Sequence, residues 1–161
     1  MNKMPEKIAK SEELDLIKRA TEYAKDRKFD QAIEVLKSLL QSLPNHELGL
    51  GMLASLYAEI GMNDRAIENF EKIISLNAEN PLAVFQLGLI HFKAGRAQKA
   101  LDIWQSALSD TDYMMHFYSG LALQSLARID EAKSMFEQAA KTMPKDHALF
   151  GQLQELLKSL G

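Results

Sequence analysis

The chain has 161 residues, 47% of them hydrophobic and 25% charged, a composition typical of a folded soluble protein at a length that favours one domain or one short array of repeated units. The absence of cysteine excludes disulfides, thiolate zinc sites and thiol nucleophiles together. Nineteen Lys and Arg against 22 Asp and Glu give a net charge of -3, which lacks the clustered positive field that a phosphate backbone requires, so no nucleic-acid partner is expected.

Residues 1–12, MNKMPEKIAKSE, place charges where a signal peptide has its apolar stretch and read as a leader into a first helix. No apolar run reaches the roughly 18 to 20 residues that cross a bilayer, so no direct membrane insertion is expected. The expected location is cytoplasmic, with the periplasm open if a leader has been removed.

From residue 13 the apolar spacing predicts four helix pairs, at 13–46, 47–80, 81–112 and 113–144. In the first pair Leu16, Ala20 and Tyr23 share one helix face and Ala32, Leu36 and Leu39 share another. The second pair repeats the pattern with Leu50, Ala54 and Tyr57, then Ala66, Phe70 and Ile73. The third has Val84, Gly88 and His91, then Ala100, Trp104 and Ala107. The fourth has His116, Gly120 and Leu123, then Ala132, Phe136 and Ala139. The second-helix alanines are 34, 34 and 32 residues apart. A small residue beside a large one lets two helix backbones approach closely while the large side chain fills the gap. Gly61 and Gly95 are placed to close first helices in the left-handed conformation, and Asp30, Asp64 and Asp130 open second helices, where a carboxylate complements the dipole. Residues 145–161 predict one more amphipathic helix. Leu149, Phe150, Leu153, Leu156, Leu157 and Leu160 lie on one side and Gln152, Glu155, Lys158 and Ser159 on the other, the pattern of a cap with a wet outer face.

These columns resemble the tetratricopeptide repeat, whose mark is a period of 34 with a small residue then an aromatic in the first helix, and Ala, aromatic, Ala, Pro in the second. Leu50, Leu53, Ala54, Tyr57, Gly61, Ala66 and Phe70 form the clearest copy, and Pro44 and Pro144 supply the closing proline in the first and fourth. The resemblance covers residues 13–144. It implies an all-α fold, a right-handed solenoid of antiparallel helix pairs with first helices lining the concave surface and second helices the convex one. Arg19, His116 and Ser119 depart from the pattern, and the segment after Trp104 is two residues short, which is expected to tilt the junction of the third and fourth pairs.

The inventory for chemistry is thin. The four histidines, His46, His91, His116 and His147, are scattered, and Gly49-Leu50-Gly51 lacks both the third glycine and the strand of a dinucleotide fingerprint. His91, His116 and Trp104 stand in packing columns and are expected in the core. No catalytic residue, cofactor or metal ligand is expected.

With the implied geometry, a concave groove is expected to be lined by Ile17, Thr21, Leu48, Ser55, Leu82, Phe85, Leu89, Phe92, Met114, Phe117 and Leu121. Residues 81–95 hold one charged residue, Lys93, and residues 113–127 hold no Asp, Glu, Lys or Arg, so the groove is expected to be centred on its far, apolar half. Family members that grip the terminal carboxylate of chaperone tails use cations and asparagines at fixed positions. Here those positions hold Ile17, Thr21, Ser55, Leu82 and Gln86, or one repeat later Gly51, Ser55, Leu89, Met114 and Tyr118, with no cation in either register. The expected function is a non-catalytic protein-protein interaction module, an adaptor or chaperone-like scaffold that binds an apolar or amphipathic peptide segment of another protein. The alternatives are a homodimer paired through the apolar third and fourth repeats, and a regulatory fragment of an enzyme. A further alternative leaves no groove, its apolar groups covered by neighbouring first helices or by the N-terminal dozen residues.

Overall fold

A computed structural model describes residues 8–109 and 112–161. Among the described residues every regular element is a helix: α1 (Lys10–Lys25), α2 (Phe29–Ser42), α3 (Glu47–Glu59), α4 (Asn63–Leu76), α5 (Pro81–Lys93), α6 (Ala97–Gln105), α7 (Tyr113–Ser125), α8 (Ile129–Thr142) and α9 (Phe150–Leu160). Residues 1–7 of the expected leader lie outside the described residues, and α1 begins at Lys10. No described helix is long and apolar enough to cross a membrane. The chain forms two compact units, Met1–Ala83 and Val84–Gly161.

In the first unit α1 packs on α2, α2 on α3 and α3 on α4. The small-residue columns sit at the helix contacts, with Ala20, Ala32, Ala54 and Ala66 all fully buried beside Leu36 and Phe70. In the second unit α6 packs on α7, α7 on α8 and α8 on α9. There glycine is required where the neighbouring side chain is largest. A Cβ on Gly88 would fall inside the Trp104 indole, and one on Gly120 inside the Phe136 ring. Trp104 is fully buried and its Nε1–H donates to the Phe85 carbonyl at 3.1 Å, so its polar edge is satisfied in the core. His116 is buried with Nδ1 2.8 Å from the Asp112 carbonyl oxygen, and His91 is buried in the column that holds Tyr57 in the preceding pair.

The turns repeat with the sequence. The backbone takes positive φ at Arg27 (58°), Gly61 (79°), Gly95 (75°) and Ala127 (58°), so glycine occupies two of four equivalent positions. At each turn the next N–H reaches back to close the preceding helix: Lys28 to the Tyr23 carbonyl, Met62 to Tyr57, Arg96 to His91 and Arg128 to Leu123, at 2.8 to 2.9 Å. Three of the four first helices, α3, α5 and α7, carry side-chain caps at the same period. His46 Nδ1 accepts from the Gly49 N–H at 2.9 Å, Asn80 Oδ1 from Ala83 at 3.0 Å, and Asp112 Oδ1 from Met115 at 3.0 Å. Because Nδ1 of His46 accepts, its proton sits on Nε2, which donates to Glu13 Oε1 at 3.0 Å and ties α1 to the start of α3.

Two elements differ from expectation. The second helix of the third pair, expected to carry Ala107, ends at Gln105, at 9 residues against 14 in α2, α4 and α8. At its end the Ser106 hydroxyl turns back to donate to the Ile103 carbonyl at 2.7 Å. The last helix starts at Phe150, leaving Leu149 outside it, and the Leu149 N–H donates to His147 Nδ1 at 3.2 Å. Leu153 of α9 is fully buried, while Gln152, Glu155, Lys158 and Ser159 face water as the amphipathic pattern requires.

Candidate functional site

Leucine recurs at one position of the first three first helices, and there it is turned to solvent: Leu14 is 60% exposed, Leu48 58% and Leu82 64%. A single exposed leucine is ordinary, but exposed leucines grouped beside a concavity are the kind of surface that partners bind. Leu48 and Leu82 stand on the rim of a cleft of about 710 Å³ in the first unit. Its walls are Leu48, Gly51, Met52 and Leu56 of α3, Phe70 and Ile73 of α4, Ala24 of α1, and Leu82 and Ala83 at the start of α5. Glu47, Ser55, Glu59 and Asn80 supply the polar rim. A cleft of this size with apolar walls and few polar groups has the build of a ligand site.

Gly51 opens the cleft. A Cβ added there would meet only the Ile73 Cδ1, at an ordinary 3.7 Å, so packing does not demand glycine at this position. At Gly49, two residues earlier, a Cβ would come within 2.9 Å of Leu39 Cδ2, and close packing explains the residue. Glycine inside a helix costs about 1 kcal/mol relative to alanine, so Gly51 trades local stability for open space above Ile73.

The polar rim is lightly engaged. Glu47 accepts from Asn80 Nδ2 at 3.3 Å, and the Glu59 carboxylate lies 3.8 Å from the Arg27 guanidinium with both side chains largely exposed, a contact worth little in water. The Ser55 hydroxyl donates to the Gly51 carbonyl within its own helix.

Of the residues expected to line a groove, Leu48, Ser55 and Leu82 border this cleft, whereas Ile17 and Thr21 are half-buried on α1 outside it, with the Thr21 hydroxyl donating to the Ile17 carbonyl. In the second unit Phe85, Leu89, Phe92, Met114 and Leu121 are half-buried. Phe117, expected on the wall, is 1% exposed and belongs to the core, 6.0 Å from the Phe136 ring and 5.5 Å from Tyr118. Its helix turns it toward α8 because the glycine at position 120 admits the Phe136 ring beside it. The Tyr118 ring stands 5.6 Å from the Phe85 ring and 6.4 Å from the Phe92 ring, aromatic packing within the second unit that leaves both partly exposed. Most of the lining residues were not assigned to a site by sequence reasoning, and two of them, Phe70 and Ile73, stand in packing columns. Both are 2% exposed and line the cleft, and only Ile73 lies within van der Waals reach of a Cβ at position 51.

No group of three or more His, Asp or Glu able to hold a metal ion occurs among the described residues. Residues 52–112 match the family model of the tetratricopeptide repeat. A crystal structure of MamA protein superimposes with a TM-score of 0.76 at 23% identity, over 94% of this chain and 87% of that one. MamA from Desulfovibrio magneticus RS-1, residues 41 to the end, gives 0.76 at 16% identity over 92% and 89%. PilW, described as a widely conserved type IV pilus biogenesis factor, gives 0.75 at 18% identity over 95% and 79%. No curated protein sequence matches the chain. The chain thus has the all-α fold of antiparallel helix pairs that defines tetratricopeptide-repeat proteins.

Proposed function

We propose that this protein is a non-catalytic interaction module that takes an apolar or amphipathic peptide segment of another protein into the cleft between α3 and α4. The observation that carries the reading is Gly51, a helix-interior glycine that no packing contact requires and that keeps an apolar cavity open beneath two exposed leucines. Repeat folds of this kind present such surfaces to partners, and the shared fold with a pilus biogenesis factor supports an assembly role. Gly51→Leu fills the cleft from its floor while improving helix propensity, so the variant should melt no lower than wild type and lose peptide binding. Selection of a random peptide library on both proteins checks this. Enrichment of sequences with apolar anchors on wild type and their loss on the variant supports the reading, and equal enrichment on both refutes it.

A second reading, pairing of two copies through the second unit, is favoured by the nearly charge-free α5 and α7 and by the half-buried Phe85 and Phe92 of α5. It requires a dimer in solution that becomes monomeric on Phe85→Glu with Phe92→Glu.

A further inference from the structure

The carboxylates on the rim specify the ligand further, an inference that rests on the cleft being a peptide site. Among the described residues that line it, Glu47 and Glu59 are the titratable groups, and no Lys, Arg or His lines it. They stand at the two ends of α3, 12 positions apart, which is about 18 Å along a helix axis. Between them lie apolar walls. Neither carboxylate is spent on a strong internal partner: one accepts a long bond from the Asn80 amide, the other lies 3.8 Å from a guanidinium that is itself 74% exposed. An apolar trough with negative charge at both ends complements an apolar segment with positive charge at both ends. An extended peptide covers 18 Å in about five or six residues.

We propose that the cleft selects a short apolar segment, about six residues long, flanked on both sides by Lys or Arg. Acidic segments are repelled from both ends of α3, and neutral ones gain only the apolar contact. The preference is electrostatic at an exposed rim, so it weakens as salt rises.

Three labelled synthetic peptides test this, sharing one apolar core of about six residues and flanked at both ends by lysines, serines or glutamates. Binding to the full chain is followed by fluorescence anisotropy at low and high salt. The lysine-flanked peptide should bind on the order of tenfold more tightly than the glutamate-flanked one at low salt, with the serine-flanked peptide between them. Glu47→Gln with Glu59→Gln should bring the three together, with the wild-type melting temperature retained. If all three bind wild type equally and Gly51→Leu abolishes each, the cleft is a peptide site and the charge selection is wrong. Binding that no substitution in the cleft affects, or no binding by any peptide, overturns the site itself. A dimer of the full chain that Gly51→Leu dissociates would make the occupant a second copy and overturn the basic-peptide assignment.

Discussion

The four turn residues between first and second helices share one backbone conformation and differ in how well their side chains suit it. Gly61 and Gly95 adopt positive φ freely, whereas Arg27 and Ala127 are held at 58° with a Cβ, which costs roughly 1–2 kcal/mol for an ordinary residue. Arg27 has compensations, its guanidinium lying 5.2 Å from the Phe29 ring centroid and near Glu59. Ala127 is exposed and has none of these, so Ala127→Gly should raise the stability measured by urea unfolding by about 0.5–1 kcal/mol after the entropy of the more flexible unfolded chain is deducted. A decrease would mean that the turn is not strained. The same arithmetic separates the helix glycines. Gly88→Ala should cost about 2–3 kcal/mol, because the new methyl must displace the buried Trp104 ring, whereas Gly51→Ala should gain up to about 1 kcal/mol. Tryptophan fluorescence during unfolding reports the first directly. Spacing put Gly88 in a small-residue column and Gly51 outside the packing columns, but only the neighbouring side chains distinguish a glycine that packing needs from one that leaves a space.

At the scale of the helix, the period of 34 was legible because each element repeats its apolar face, and the described helices follow those faces. Their ends were less so. Asp112 and Asn80 are recognisable cap residues, but His46 caps through a ring nitrogen, a role that no sequence pattern marks. The early stop of α6 coincides with the two-residue shortening of its segment, which column spacing alone does not place at a particular turn. The caps are testable as a class. Asp112→Ala leaves the Met115 N–H unpaired at the start of α7 and should cost about 1 kcal/mol in chemical unfolding. His46→Ala removes both the Gly49 cap and the link to Glu13, so its cost should be at least as large, and part of it should disappear in a Glu13→Ala background. Additive losses would show that the imidazole does not join the two helices.

For the whole molecule, helix pairing was readable from composition columns alone, since buried small and large residues alternate at fixed distances. The cleft beside α3 was not. Charge depletion pointed to the second unit, but an apolar helix can satisfy itself by aromatic packing, as Phe85, Phe92 and Phe117 do around Tyr118. The cleft depends on what Gly51 fails to cover. The consequence is a sharp contrast between two substitutions of equal chemistry: Phe117→Glu buries an unpaired carboxylate and should prevent folding of the second unit, whereas Leu82→Glu, on a side chain 64% exposed, should leave the melting temperature within a degree or two.

The final helix raises the same question of what covers an apolar face. Leu153 is fully buried and α9 packs on α8, whose own Phe136 and Ala139 are fully buried. Deleting residues 145–161 returns that surface to water. Loss of the Leu153 contact alone removes about 1.5–3 kcal/mol, and the newly bared face adds an association hazard that terminal elements of repeat arrays suppress. The shortened chain should therefore melt several degrees lower and scatter light at concentrations where the full chain does not. An unchanged melting curve and a clear solution would mean that α8 needs no cover and that the amphipathic pattern of α9 serves some other contact.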